Sequence, residues 1–409
     1  MRTQPSAEIF DHIASTVATW SEREFARRRT AEAALVARTG YAPNVVTIAL
    51  DRLFESCRRE ALEASIIGEI GALEALDGFI ARPDRPSLYA RGVDRVAIIS
   101  SQTTIGVALP ATLFALIAKT RVLVKDRADG LIGAFAESLF ERDQRFAETL
   151  TVQQWEGASG HETLDKADVV VAYGGDAALC AIRNTLPGAT RFVGFGPRVS
   201  AALLTPVTLQ DAIRREAALR SIADDALLYD AEGCLSLHIL FVQSALQDVA
   251  ERADELGRLA EELATSLDKA IERLPFAERE RGQRLTQAAQ REAAIAHAAL
   301  HHGTSCRVGR ATVIVDAASP PPLLPATTLI VPIDESSEIA AYLDRYHLRL
   351  EALALESSVS PPSIRVARLT TFGELQRPTL RGEHGGRPRI LDFVDLVTDD
   401  RPTLPTQPT

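Results

Sequence analysis

Asp168-Val169-Val170-Val171-Ala172-Tyr173-Gly174-Gly175-Asp176 is the stretch on which the fold reading turns. Three valines in succession, closed by a glycine pair and an aspartate, read as a buried strand ending in a turn. A helical pattern follows to about Leu186, and then a second apolar strand over 191–195. Upstream the same alternation repeats. A strand over 93–99 ends at Ser100-Ser101-Gln102-Thr103-Thr104, and a helix is expected over 107–118. A strand over 121–125, a helix over 130–142 and a third strand over 149–155 follow. Short apolar strands alternating with helices mean βαβ units and a parallel sheet. Such sheets bind ligands outside the carboxyl ends of their strands. Residues 100–104, 125–127, 174–176 and 194–197 are therefore expected along one edge. No GxGxxG follows the first strand, and Gly194-Phe195-Gly196 is only a fragment of one. Dinucleotide phosphates would then rely on helix N-terminal N–H groups, with Asp176 or the Ser/Thr cluster as caps.

Further outward the pattern is less regular. Residues 1 to about 80 read as helices, with apolar residues at helical spacing over 44–73, and Pro83 and Pro86 break that pattern. A second α/β region begins after Pro197, with a strand over 201–204 and a helix over 209–219. It leads to Glu232-Gly233-Cys234-Leu235-Ser236 and the apolar run 239–242. Gly233 has no Cβ and would let the backbone approach a substrate, while N–H groups around Cys234 would face a carbonyl oxygen. That is how a thiol nucleophile is offered to an acyl group, although most lone cysteines are small buried apolar residues. Helices over 249–274 and 280–300 are laced with charge, and strands are expected over 311–315 and 328–332. A helix over 337–345 and a last apolar strand over 390–397 close the chain, before a Pro/Thr-rich tail expected to be disordered.

The net charge of −10 argues against nucleic acid or an anionic membrane as the main partner. No run reaches the length of a membrane span, the N-terminus has no signal-like apolar core, and the cytoplasm is the expected location. Four cysteines lack metal-ligand spacing, so neither a metal site nor a disulfide framework is expected.

This order of elements resembles the aldehyde dehydrogenase superfamily and, within it, the LuxC-type acyl-CoA reductases. Four stretches carry the resemblance: Ser87 to Val96, Val169 to Asp176, Glu232 to Ser236, and Phe372-Gly-Glu-Leu-Gln-Arg-Pro378 with His384-Gly-Gly-Arg-Pro388. It implies an α/β chain with a Rossmann-type cofactor domain over 1–196, a catalytic domain over 197–376, and a C-terminal region over 377–409 holding an oligomerisation strand. It further implies that Cys234 attacks an acyl-CoA or acyl-carrier thioester, and that hydride from NADPH, with NADH the alternative, releases an aldehyde. Gln102 would help the Cys234 N–H hold the oxyanion. Ser100, Gly174 and Gly175 would approach the cofactor, Lys125 its ribose, and Arg127 a 2′-phosphate. His384 would orient CoA, act as an acid, or simply be a loop residue. The superfamily's oxidising members carry a glutamate base after the 191–195 strand, where this chain has Phe195-Gly-Pro-Arg198. Hydrolysis of an acyl-enzyme should then be slow. Acyl-phosphate reduction, or a silent relative that binds acyl-CoA or an acyl-transferring partner enzyme, are the alternatives. A homodimer or larger even oligomer is expected, with residues 87–93 beside the last strand.

Overall fold

The computed structural model describes residues 2–83, 85–101, 104–126, 130–155 and 164–401. Three sheets organise them. A small sheet contains β1 (Ile80–Arg82) and β2 (Arg85–Gly92), joined by the last strand of the chain. The second sheet holds β3 (Arg95–Ile99), β4 (Arg121–Lys125), β5 (Leu150–Gln153), β6 (Val169–Tyr173) and β7 (Arg191–Phe195). All four of its pairings are parallel, in the order β5-β4-β3-β6-β7. All five residues of β6 are buried, which is why its pattern was continuous rather than alternating. The order changes direction between β3 and β6, and the crevice outside such a switch is where doubly wound sheets hold their ligands.

The third sheet holds β8 (Val199–Leu204), β9 (Leu237–Gln243), β10 (Thr304–Val308), β11 (Ala311–Val315), β12 (Thr327–Ile333), β13 (Leu350–Ala354) and β14 (Val366–Thr370). Its order is β10-β11-β12-β9-β8-β13-β14, parallel except for the β10–β11 hairpin. Three residues, Gly196-Pro197-Arg198, join the end of β7 to the start of β8. The carboxyl edge of the five-stranded sheet thus leads directly into the amino edge of the seven-stranded one.

Four helices, Ser6–Ser21, Ala26–Thr39, Pro43–Ser56 and Arg59–Ile70, precede the sheets. The helical pattern over 44–73 is therefore two helices parted at Cys57 and Arg58. Trp20 is fully buried, with ring centroids 5.4 Å from Phe54 and 5.7 Å from Phe135. This ties the helical layer to the helix Leu131–Arg142 over the five-stranded sheet. Helix Val249–Arg273 buries one stripe, including Leu256, Leu259, Leu263 and Leu267, and leaves its charges in water.

The expected strand over 390–397 is shorter and shifted. Leu391–Phe393 form a single tight turn, and β15 runs Val394–Asp399. Glu69 explains the turn, because its carboxylate accepts the N–H groups of Arg389, Ile390 and Leu391. β15 pairs antiparallel with β2 of the same chain, Val394 opposite Gly92 and Asp399 opposite Ser87.

Candidate active site

The nucleophile turn is delivered by the helix Ala212–Leu227, which the expectation had placed at 209–219. Asp211 starts it by accepting the N–H groups of Ile213 and Arg214 at 3.0 and 3.1 Å. The chain then takes three consecutive left-handed residues, Tyr229, Asp230 and Ala231, at φ of 61°, 53° and 62°. None is glycine, so each is strained by about 1–3 kcal/mol. A polar clamp holds them. The Asp230 carboxylate accepts Ala277 N–H at 3.1 Å and Arg279 Nη2 at 3.3 Å. Arg279 also binds Glu232 at 3.1 Å and lies over the Tyr41 ring. Burial raises the Asp230 carboxyl to about 6 against that nearby guanidinium.

Cys234 is half-buried at the amino end of β9. Ser200 Oγ donates to its carbonyl at 2.8 Å. The φ of Gly233 is not left-handed, and within the chain an added Cβ would meet Ser236 Oγ at 3.4 Å and Thr104 Oγ1 at 3.9 Å. The residue matters as the place where the loop after β3 reaches the nucleophile turn. Ser236 donates to Leu228 O, and Gln376 donates to Ser236 Oγ at 3.0 Å. Asp225, one turn back, accepts Gly373 N–H at 2.7 Å. The 372–378 stretch therefore braces the turn from behind.

The charges beside the thiol come from elements remote in sequence. Arg198 Nη1 and Glu351 Oε2 form an ion pair at 3.1 Å, and Glu351 is 8% exposed. Glu351 was not foreseen, because β13 reads as Leu-Glu-Ala-Leu-Ala, a helix-favouring sequence. Burial pushes the Cys234 thiol up to about 12, and the Glu351 charge adds to the rise. Arg198, the backbone N–H of Cys234 and Arg368 act in the opposite direction. Arg198 Nη2 also donates to Gly385 O at 3.0 Å. Gly385 has φ 58°, and a Cβ there would lie 3.1 Å from Phe195 and 3.2 Å from Arg198, so this position requires glycine. His384 stacks on Phe195 at 4.2 Å and lies 5.8 Å from Tyr173. Burial, then repulsion from Arg389 and Arg198, lowers its imidazole to about 3. It is neutral near pH 7, so any donor role would fall to the one N–H of the neutral ring.

The expected cofactor residues share one edge. Ser100 follows β3 and donates its N–H to Lys125 O at 3.1 Å. Lys125 ends β4, its Nζ 5.2 Å from the Trp155 ring. Gly174 and Gly175 follow β6, so the three neighbouring strands β4, β3 and β6 bring these four residues together. Gly175, not Asp176, is the N-cap of helix Asp176–Thr185. No side chain caps that helix among the described residues, and an added Cβ on Gly175 would meet nothing within 4 Å. Open backbone before uncapped N–H groups fits a pyrophosphate, although the Asp176 carboxylate opposes it. Gln102 and Arg127 lie outside the described residues.

A family model described as acyl-CoA reductase (LuxC) matches residues 1–371. Among curated proteins, the chain is similar to a long-chain acyl-protein thioester reductase of Aliivibrio fischeri, 24% identical over 269 residues. That match covers 63% of this chain and 52% of the relative, so the chain spans about half the length of the curated relatives it matches. Among solved structures it resembles an NADP-dependent glyceraldehyde-3-phosphate dehydrogenase from Bacillus halodurans C-125, complexed with NADP. The TM-score is 0.67 and the identity 14%, covering 97% of this chain and 88% of that one. It also resembles a NAD-dependent benzaldehyde dehydrogenase from Corynebacterium glutamicum, with TM-score 0.69 and 12% identity, covering 97% and 86%. These likenesses establish the aldehyde dehydrogenase fold. Among the described residues, no helix is long and apolar enough to cross a membrane.

Proposed function

Because the chain belongs to the acyl-CoA reductase (LuxC) family, we propose that it reduces an acyl thioester to the aldehyde through an acyl-enzyme on Cys234. The observation that carries this reading is the placement of Cys234. It sits just before β9, on the amino edge of the seven-stranded sheet, and its neighbour Gly233 is where Thr104, after β3 of the five-stranded sheet, comes close. A nicotinamide bound at that carboxyl edge would supply the hydride. Ser100, Gly174, Gly175 and the N-terminus of helix Asp176–Thr185 would hold its phosphates, with Lys125 at the ribose.

The first half of the reaction is thiol exchange. Sγ of Cys234 attacks the thioester carbon, the C–S bond to the carrier breaks, and the carrier's thiol leaves with the proton. The exchange is proton-neutral overall, so a thiol of raised pKa can still acylate when its proton passes to the leaving sulfur. The Cys234 backbone N–H, with Gln102, would receive the negative charge that develops on the carbonyl oxygen. After reduction, the C–S bond to Cys234 breaks and frees the aldehyde.

Either CoA or a carrier protein would serve as donor, and an acyl-transferring enzyme would be the natural partner for the second. NADPH is the assigned reductant through Arg127, which would meet a 2′-phosphate. Incubation with decanoyl-CoA without reductant should leave one acyl group on Cys234, located by mass spectrometry. An adduct on Cys57, Cys180 or Cys306 instead, or full activity in Cys234→Ala, refutes the reading. For the cofactor, kcat/KM is compared for NADPH and NADH in wild type and Arg127→Ala. An unchanged ratio removes Arg127 from the assignment.

A further inference from the structure

A carboxylate buried beside a cysteine that carries an acyl group poses a chemical problem. Glu351 is 8% exposed, and its charge acts on Cys234. The adjacency is built into the sheet. β13 pairs with β8, and Ser200 of β8 holds the Cys234 carbonyl at 2.8 Å. A free carboxylate so placed would take a proton from water as that water attacked the thioester. The water oxygen would bond to the acyl carbon, the C–S bond would break, and the proton would return to Sγ of Cys234. The products are a fatty acid and free enzyme, and no reductant is consumed.

Glu351 is not free. Arg198 Nη1 holds Oε2 at 3.1 Å, while Nη2 of the same guanidinium is fixed on Gly385 O at 3.0 Å. The second contact fixes the direction of the first. Gly385 accepts no side chain, since an added Cβ would press on both Phe195 and Arg198. Arg198 is therefore seated from two sides, and the arginine takes up the carboxylate whose charge acts on the nucleophile.

We propose that the Arg198–Glu351 ion pair guards the Cys234 acyl-enzyme against hydrolysis, withholding the carboxylate from water until hydride arrives. Arg198 is a positioning residue in this role, because it acts through Glu351. The inference rests on the acyl-enzyme reading above and deepens it.

The test is the lifetime of the acyl-enzyme. Protein is acylated with radiolabelled decanoyl-CoA, freed of excess thioester, and followed without NADPH. Arg198→Gln should shorten the half-life at least about tenfold, within the range of general-base effects. Fatty acid should appear at the same rate. The double variant Arg198→Gln/Glu351→Gln should return the half-life to that of wild type. Glu351→Gln alone should stay within about threefold of wild type, because the carboxylate it removes is already withheld. That last variant keeps the test decisive if Arg198→Gln does not fold. An unchanged half-life in Arg198→Gln overturns the guard. So does a double variant as labile as the single one, or a larger change in Glu351→Gln in either direction. If wild type forms no adduct on Cys234, the acyl-enzyme reading falls, and the guard with it. A wild-type adduct with the wrong variant lifetimes removes the guard alone.

Discussion

Cys234 carries a thiol pushed up to about 12 by burial and then by the charge of Glu351, against Arg198, its own N–H and Arg368. At pH 8 its thiolate fraction is on the order of one in ten thousand. Iodoacetamide should therefore modify exposed Cys180 first and Cys234 slowly, with buried Cys57 the last. The Cys234 rate should rise about tenfold between pH 8 and pH 9. Peptide mass spectrometry over a time course checks this, and Cys234 as the fastest site at pH 7 would contradict it. The glycine-cysteine turn was legible because a polar turn before an apolar run is a local signal. Arg198 and Glu351 were not legible as a pair: 153 residues separate them, and only the β8–β13 pairing brings them together. Reading Phe195-Gly-Pro-Arg198 alone suggested a site without a carboxylate, and the third dimension supplies one.

The left-handed run Tyr229-Asp230-Ala231 is an element in its own right, a single strained turn between a helix and the nucleophile. Ala231 has φ 62°, a conformation that glycine adopts without penalty. Ala231→Gly should leave the fold intact, with stability changed by no more than about 1 kcal/mol, since relief of strain offsets added chain entropy. The acylation rate should fall several-fold because the turn then has other conformations to visit. Urea denaturation and single-turnover acylation separate the two effects. An unchanged acylation rate would mean that the strain has no part in positioning Cys234.

β15 argues at the same scale. It is the outer strand of its sheet, and Leu396 is 53% exposed on it. An edge of this kind offers unpaired backbone groups and an apolar side chain to a second chain. If wild type sediments as an even oligomer through this edge, Leu396→Lys should convert it to monomers by sedimentation velocity; a wild-type monomer, or an assembly unchanged in the variant, would show that β15 makes no interface. Legibility at this scale followed context. β3 to β7 were legible because β-branched runs bounded by turns are local facts. β2 was not legible from periodicity, because Pro86 reads as a breaker; the family resemblance alone set residues 87–93 beside the last strand, and the register with β15 does start at Ser87. β13 was hidden by its helix-favouring composition, which burial of all five residues overrides.

The pH response belongs to the whole molecule. Asp225 and Asp230 are both raised to about 6 by burial, so the folded chain holds their protons more tightly than the unfolded chain between about pH 4 and 6. Their ionisation costs stability as pH rises through that window. His238 and His384 are lowered by burial to about 4 and about 3. The unfolded chain binds their protons first, so stability is lost as pH falls through 6.5 towards those values. The two pairs titrate in one interval with opposite sign, and near pH 5 their slopes nearly cancel. His238 is 3% exposed, and its Nδ1 has no partner among the described residues. His238→Leu removes one of the two histidines from the balance and leaves His384 alone against both aspartates. Stability should then fall by about 1 kcal/mol per pH unit between pH 4.5 and 5.5. Urea midpoints across that range test it, and a slope equal to that of wild type would show that His238 does not take part.

The link between β7 and β8 has one more consequence. Gly196-Pro197-Arg198 is the spine of a book whose pages are the two large sheets, and Arg198 is stitched into the spine itself. Arg198 and Glu351 both ride on the seven-stranded page, through the β8–β13 pairing, whereas the Gly385 carbonyl that Arg198 also grips lies against Phe195 at the end of the other page. Breathing that admits water would pull on that anchor and so loosen the hold on Glu351, and water-tightness and chemical inertness would then fail together or hold together. A single glycine inserted after Pro197 would loosen both at once, with every residue of the pocket still in place.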